Sequence, residues 1–275
     1  HATFNDNLMT SVMTLLNETT TSSEFEFLGT AKRGETQAAF DRGIAFILKS
    51  QIVVDGTPTA WAQQHDAMNY EPRSARSFEP AAICGGESAG VVNLLMGIRR
   101  PSAEVVEAIE SAVQWYRNVQ INGWEVVSQD GDRIVQKNAD ARPLWARFYE
   151  IGTNRPIFAG RDGVIKYNLA EIDEERRRGY SWYTGSGANV LRRYDQWKIA
   201  QSWDNLPPTN TDESKVRSYT LPDPLRMSSG EAVASIADWE SKRRPEIISL
   251  FEQHQHGVTP TQKIGTKFEV IERDA

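Results

Sequence analysis

Helical periodicity is the feature that most restricts how this chain can fold. Apolar residues return at helical spacing over Thr36–Ser50 and again after Pro101 and Ser102, as far as Tyr116. Such a stripe places the apolar side chains on one face of an α-helix, and Ser102 is a suitable N-cap. Further helices are predicted over residues 8–16, 89–98, 169–178 and 230–254, the last interrupted at Pro245.

Strand signals are few and short by comparison. They cover Ile52–Val54, Trp124–Val127 and Phe268–Ile271. Helices joined by long loops indicate an antiparallel helical array rather than a βα repeat. We therefore expect a mainly α fold with a few short strands.

The 275 residues suggest one large region followed by a smaller one. Prolines 207, 208, 222 and 224 stand among Asn, Thr, Ser and Asp residues, which is typical of an extended connection. The predicted division is a catalytic or binding region over 1–203, a Pro-rich connection over 204–229 and a C-terminal helical extension over 230–275. We expect this extension to pack on the body.

Composition excludes several classes of protein. No apolar run approaches the roughly 18 residues of a membrane span. The formal charge of -6 opposes nucleic-acid binding by bulk charge. Cys84 is the sole cysteine and lies among small residues, so we expect a buried structural thiol. It has no neighbouring His that would indicate a thiol protease, and zinc is not expected.

Arginines alternate with aromatic rings between Arg142 and Tyr183 in this acidic chain. Guanidinium forks match carboxylate or phosphate, and sugar rings stack on aromatic faces, so this segment predicts a polyanion-binding surface. The run Arg176–Arg178 follows four acidic residues and is typical of a solvated helix with charge pairs. Arg147 and Arg161 have few acids nearby, which favours contact with a ligand.

The usual motifs of other enzyme classes are absent. There is no Rossmann fingerprint, phosphate loop, HExxH or GxSxG sequence. A glycosidase would need two carboxylates across a sugar, and the available acids are Asp66, Glu71, Glu79 and Glu87. Acids occur throughout the chain, so this signal has little specificity.

Five segments together carry a family resemblance. They are HATFNDN, TAWAQQHDAMNYEPRSAR, GGESAGV, WARFYEIGTNRPIFAGRDG and ERRRGYSW, in this order between His1 and Trp182. The chain resembles the pectate lyases of polysaccharide lyase family 10. The resemblance implies an (α/α) toroid-like fold and calcium-assisted β-elimination on polygalacturonate. From the size of that substrate we expect a secreted or periplasmic protein, and we expect a monomer.

Site residues follow from the resemblance motif by motif. Arg76 corresponds to the proton-abstracting arginine, Asp6 to a calcium-associated aspartate and Arg161 to an arginine that binds the substrate carboxylate. Arg147 and Arg73 are further substrate-binding candidates. Arginine holds its proton tightly, so a base role requires desolvation or nearby positive charge; we expect Arg73 and Arg161 to supply it. The expected consequence is an alkaline rate optimum.

One departure from the family pattern concerns the N-terminal side. Relatives carry an upstream helical portion with a TIDNGAT-like stretch, which this sequence lacks. We therefore expect a fold that is incomplete at its N-terminus, and a chain that is inactive in isolation.

Two other classes of function remain open at the level of sequence. A non-catalytic domain that binds acidic polysaccharide would bind without turnover. A glycoside hydrolase on a helical toroid would release reducing ends without a new double bond. A single-stranded nucleic-acid binder is opposed by the net acidity.

Overall fold

A computed structural model describes residues 1–204, 214, 218 and 220–258. The chain divides into two compact units, His1–Pro207 and Pro208–Ala275. Most of the Pro-rich segment 205–219 and the predicted strand Phe268–Ile271 lie outside the described residues. Within the described part, no helix is both long and apolar enough to cross a bilayer.

Helices of the first unit follow the apolar periodicity of the sequence. They are α1 (Leu8–Thr21), α2 (Gly29–Ser50), α3 (Glu87–Met96), α4 (Ala103–Asn118), α5 (Glu174–Gly179) and α6 (Ser186–Asp204). The predictions for 8–16, 36–50, 89–98 and 101–116 are confirmed, although α1 and α2 are longer than expected. The Ser102 hydroxyl caps α4 by accepting a hydrogen bond from the Val105 amide at 3.4 Å.

Apolar stripes from these helices form the main core. Ile47 of α2, Val92 of α3, Ile109 of α4 and Val190 of α6 are all fully buried in one cluster. A second cluster packs Phe148, Phe158 and Trp182 under the loops that carry the site. The loops are thus supported by aromatic packing of their own.

Short strands pair the segments between the helices. They are β1 (Ala2–Thr3), β2 (Val53–Val54), β3 (Thr57–Pro58), β4 (Gln64–His65), β5 (Pro72–Arg73), β6 (Ile83–Cys84), β7 (Trp124–Gln129), β8 (Asp132–Lys137), β9 (Trp145–Ala146), β10 (Phe148–Tyr149), β11 (Pro156–Ala159), β12 (Ile165–Lys166) and β13 (Tyr183–Thr184). The described strands form five small sheets, with orders β1-β4-β5, β12-β11-β10-β6, β13-β9, β2-β3 and β7-β8.

The prediction of a mainly α, (α/α) toroid-like fold is wrong. Helices share the first unit with five small sheets, and these sheets hold the loops of the site. Most strands contain two residues, too few for an alternation of polar and apolar side chains to be visible in the sequence. They form because buried backbone N–H and C=O groups require partners, which tertiary contact supplies.

Two predicted helices differ in detail. Residues 169–178 split into a short turn, Leu169–Glu171, and α5, because the Asp173 carboxylate caps α5 by accepting from the Arg176 amide. In the second unit the helical path runs from Ile236 to His256 and includes wide turns. Pro245 lies in the first turn of Arg244–Phe251, where its missing N–H is tolerated, so the predicted interruption is a change of helix type.

Candidate active site

A cleft of about 380 Å³ opens on the first unit. Asp6, Arg76 and Arg147 line it, together with Tyr180. The other charged residues on its wall are arginines at positions 133, 177 and 178. Three of the five predicted site residues therefore meet in a basic cleft on a chain of net negative charge.

The Asp6 carboxylate reaches the cleft from a strained turn. Strand β1 pairs with β4, and the buried Phe4 donates its amide to the Gln63 carbonyl at 2.9 Å. Asp6 and Asn7 then both adopt left-handed backbone conformations, with φ of 51° and 58°. Gly90 leaves room for this turn, because a Cβ there would lie 2.2 Å from the Asn7 Oδ1 atom. Such strain persists only where surrounding contacts enforce it, and it is common at functional sites.

Arg76 is held by a buried carboxylate. Its Nε donates to Glu79 Oε2 at 2.8 Å and its terminal nitrogen to Oε1 at 2.6 Å. The Tyr180 hydroxyl donates to the same Oε1 at 2.8 Å. The Glu79 side chain is 2% exposed, whereas that of Arg76 is 57% exposed. The guanidinium therefore faces the cleft while its anchor lies beneath the surface.

These contacts keep the Arg76–Glu79 pair ionised. Burial by itself would raise the pKa of Glu79, but the hydrogen bonds from Arg76 and Tyr180 outweigh it and lower that pKa. The hydrogen bond to Glu79 raises the pKa of Arg76, and the negative charges of Glu79 and Asp6 add to the effect. Arg76 thus rests as a firmly protonated guanidinium.

Arg147 is anchored in the same manner by a second buried carboxylate. Its terminal nitrogen donates to Glu87 Oε1, and its guanidinium lies 4.5 Å from the centre of the Tyr180 ring. Cys84, which is buried as predicted, donates its thiol to Glu87 Oε2 at 2.6 Å. Burial and the adjacent Glu87 raise the pKa of that thiol well above its ordinary value. Cys84 is therefore a neutral donor.

One glutamine joins the two anchors. The buried Gln63 places its Nε2 at 3.4 Å from Glu79 Oε1 and 3.5 Å from Glu87 Oε1. The same Nε2 donates to Asn5 Oδ1 at 2.5 Å, next to Asp6. The turn of Asp6, the anchor of Arg76 and the anchor of Arg147 thus meet at one side chain.

Sequence similarity to known proteins agrees with this geometry. The profile of the pectic acid lyase family matches residues 1–191. The chain belongs to the pectic acid lyase family.

Solved members of this family share its fold. The family 10 polysaccharide lyase from Cellvibrio cellulosa is 31% identical, with a TM-score of 0.68 over 72% of this chain and 62% of that one. A mutant of that lyase in complex with trigalacturonic acid is 32% identical, with a TM-score of 0.67 over 71% and 62% of the two chains. The predicted resemblance to family 10 is confirmed. This chain spans about 62% of the length of these solved chains.

A further match covers a short stretch of the chain and is to a protein with a different activity. Carbohydrate esterase MZ0003, from an unknown prokaryotic organism, is 49% identical over 51 residues, which are 18% of this chain and 12% of that protein. So short a match carries no argument about the chemistry of this member of the pectic acid lyase family.

Arg161 and Arg73 are not among the residues that line the cleft of this family member. Arg161 donates to both oxygens of Glu175, at 3.0 and 2.9 Å, and both side chains are more than half exposed. Arg73 lies 3.2 Å from Asp66 and 3.6 Å from Glu71. Both arginines are paired with acids, outside the set of residues that line the cleft with Asp6.

The run Arg176–Arg178 is only in part the solvated helix that the sequence predicts. Arg178 pairs with Glu174 one turn earlier, as expected. Arg177 instead reaches Asp132 on β8, and Arg176 is buried with its guanidinium 4.6 Å from the Phe78 ring centre. Only Arg177 therefore pairs across the fold, because the Arg176 guanidinium donates to its neighbour Glu175 on the same helix.

Four functional candidates at this cleft have no predicted role there: Glu79, Glu87, Gln63 and Tyr180. Glu79 and Glu87 stand in a stretch of apolar and small residues, SFEPAAICGGESAG, which is an unusual setting for two acids. That setting is the signal that marks them as buried and paired. Gln63 and Tyr180 carry no comparable signal.

Proposed function

We propose that the protein is a pectate lyase that cleaves polygalacturonate by β-elimination in the cleft of Asp6, Arg76 and Arg147. The observation that carries the proposal is the convergence of these residues, distant in sequence, on one basic cleft. Guanidinium groups bind uronate carboxylates through charge-assisted hydrogen bonds. The complex of a similar lyase with trigalacturonic acid supports the same class of substrate.

The reaction moves one proton and breaks one bond. The C5 proton of a galacturonate passes to a base, the C4–O4 bond breaks, a C4=C5 double bond forms, and the departing oxygen takes up a proton. Negative charge develops on the C5 carboxylate as the proton leaves. Fixed positive charge at that carboxylate lowers the barrier. Arg147, nearly buried and fixed by Glu87 and Tyr180, is suited to this task.

Arg76 is the proposed base. The sequence-based expectation that Arg73 and Arg161 would lower its pKa finds no support, because each is paired with its own carboxylate. Glu79 raises the pKa of Arg76 instead, so the neutral guanidine is scarce near neutral pH and increases as the pH rises. We therefore expect the rate to rise into the alkaline range.

Arg161 and Arg73 are proposed as outer contacts for further carboxylates of the polymer. Their exposed ion pairs contribute little, so a galacturonate carboxylate can replace Glu175 or Asp66 at small cost. Binding there extends the contact with a long substrate.

Calcium is the proposed cofactor, with Asp6 as its ligand. Ca²⁺ takes about six to eight oxygen ligands, and Asp6 offers a carboxylate of suitable chemistry at the cleft wall. Among the described residues, no group of three or more His, Cys, Asp or Glu side chains could hold a metal. Asp6 would therefore share the ion with substrate carboxylates, water and any further protein oxygens. When bound, the ion would withdraw charge from the substrate carboxylate.

The polymer is too large to enter a cell, so we propose action outside the cytoplasm, as a secreted or periplasmic monomer. The large aromatic residues Trp61, Trp145 and Tyr149 are buried in the core and are therefore not available to stack on a sugar ring.

The test is incubation of the full-length protein with polygalacturonate and calcium, followed by ultraviolet absorbance of the 4,5-unsaturated product. Arg76→Ala should lower the rate by about 10²–10⁴-fold, the usual contribution of a general base. Binding of trigalacturonate should be largely kept, and Arg192→Ala, an exposed arginine on α6, serves as the matched control. Reducing ends without absorbance would indicate a hydrolase, and binding without either product would indicate a non-catalytic binder.

A further inference from the structure

We propose that Glu79 is a positioning residue that aims the Arg76 guanidinium into the cleft and governs how readily it releases its proton. This inference rests on the proposed lyase function and concerns the same site. Glu79 is a buried carboxylate without direct contact with the substrate, and it would control the base, Arg76.

The geometry of Glu79 is the first support. Arg76 is bound to it through three donors, namely Nε, a terminal nitrogen and the Arg76 backbone amide, the last at 3.1 Å from Oε2. Side chain and backbone are thus fixed to one carboxylate. A guanidinium held by this fork has its direction determined, although more than half of its surface faces solvent.

The surroundings of the pair are the second support. Tyr180 donates to Glu79 from one side, and Gln63 lies at 3.4 Å from another. Phe78 lies under the guanidinium at 5.1 Å from its ring centre. The charged and titratable groups acting on Arg76 are Glu79, Tyr180 and Asp6, and Glu79 is the strongest. Removal of its charge should therefore change the proton affinity of Arg76 more than any other single change.

The sign of the effect follows directly. The negative carboxylate of Glu79 stabilises the protonated guanidinium and raises the pKa of Arg76. In Glu79→Gln the shape is kept and the charge is removed, so Arg76 releases its proton at lower pH. The ascending limb of kcat/KM, which reports the free enzyme, should then level off at lower pH than in the wild type.

Glu79→Asp separates position from charge. It keeps the carboxylate but shortens its reach by one methylene, so the guanidinium is displaced while the local charge remains. Misplacement of a reacting group by about 1 Å costs about 10²-fold. We expect the plateau of kcat/KM to fall by up to about 10²-fold, while the limb does not move to lower pH.

Glu87→Gln is the matched control at the second anchor. Glu87 is also buried and bound to a cleft arginine, yet it holds Arg147 rather than Arg76. Its substitution should lower kcat/KM by a similar factor at every pH, because it disturbs Arg147, without moving the limb. An equal movement in Glu79→Gln and Glu87→Gln would overturn a specific role for Glu79.

The experiment measures 4,5-unsaturated product from the calcium-supplied protein between neutral and strongly alkaline pH. A loss by the same factor at every pH in Glu79→Gln overturns the proposal, because that is the result of a purely structural role. Should Glu79→Gln fail to fold, Glu79→Asp gives the second measurement, and a plateau equal to that of the wild type overturns the proposal.

Failure of the underlying function gives a different result. If the protein is no lyase, the wild type yields no unsaturated product at any pH. A wild type that turns over while Glu79→Gln leaves its profile unmoved refutes the role of Glu79 alone.

Discussion

The four predicted substrate-site arginines form an inner and an outer pair. Arg76 and Arg147, the inner pair, are bound to Glu79 and Glu87, whose side chains are 2% and 6% exposed. Arg161 and Arg73, the outer pair, are bound to Glu175 and Asp66, which are 53% and 24% exposed. All four make ion pairs, but their partners differ in burial. An arginine with a buried carboxylate is fixed in direction, whereas one with an exposed carboxylate can exchange its partner for a ligand.

Removal of an inner arginine should have the largest effect on stability. Arg147→Ala leaves the Glu87 carboxylate buried without its cation, which costs about 3–5 kcal/mol. Urea denaturation followed by circular dichroism measures this loss. Arg161→Ala is the matched outer substitution and should leave the denaturation midpoint unchanged, because its pair is solvated. Similar losses of stability in both variants would show that burial of the partner carboxylate does not distinguish the inner pair from the outer pair.

Filling the space beneath the Asp6 turn should have an intermediate effect. In Gly90→Ala the new Cβ meets the Asn7 Oδ1 atom at 2.2 Å, so the left-handed turn must shift, at a cost of about 1–3 kcal/mol. Thermal denaturation and lyase rate together measure it, and both should fall. Gly34→Ala in α2 is the control, since a Cβ there meets nothing within 4 Å. That change should stabilise the helix by about 0.5–1 kcal/mol.

The smallest effect concerns acid stability at the outer pair. Hydrogen bonds from Arg176 and Arg161 lower the pKa of Glu175 to about 2, from 4.5 in the unfolded chain. A carboxyl with a lowered folded-state pKa contributes stability above its unfolded pKa, and this contribution is lost as the pH falls from 4.5 to about 2. Glu175→Gln should therefore lower stability slightly near neutral pH, where this contribution is present, and flatten the stability curve as the pH falls from 4.5 to about 2. A curve as steep as that of the wild type would refute the assignment.

The positions of the helices could be predicted from the sequence because they depend on local periodicity. The approximate positions of α3 and α4, the cap at Ser102 and the strand that begins at Trp124 all follow from patterns within a few residues. Burial of Cys84 follows from its small and apolar neighbours. The family motifs also placed Asp6, Arg76 and Arg147 as members of one site, and these three meet.

Pairing between distant segments could not be predicted from the sequence. Arg147 and Arg161 seemed to lack acidic partners because Glu87 and Glu175 stand 60 and 14 positions away. The two-residue strands that replace the expected toroid-like array have the same cause. Each pairing satisfies a buried polar group, and its partner is known only when the chain has folded.

The amino-acid sequence by itself determined the helices, the family and the set of basic residues available for an acidic polymer, because these depend on local spacing and motif. The tertiary structure decided which arginines are fixed and which are free to exchange partners. Burial of a carboxylate is a property of the whole fold, and it determines both the direction of the bound guanidinium and its hold on the proton.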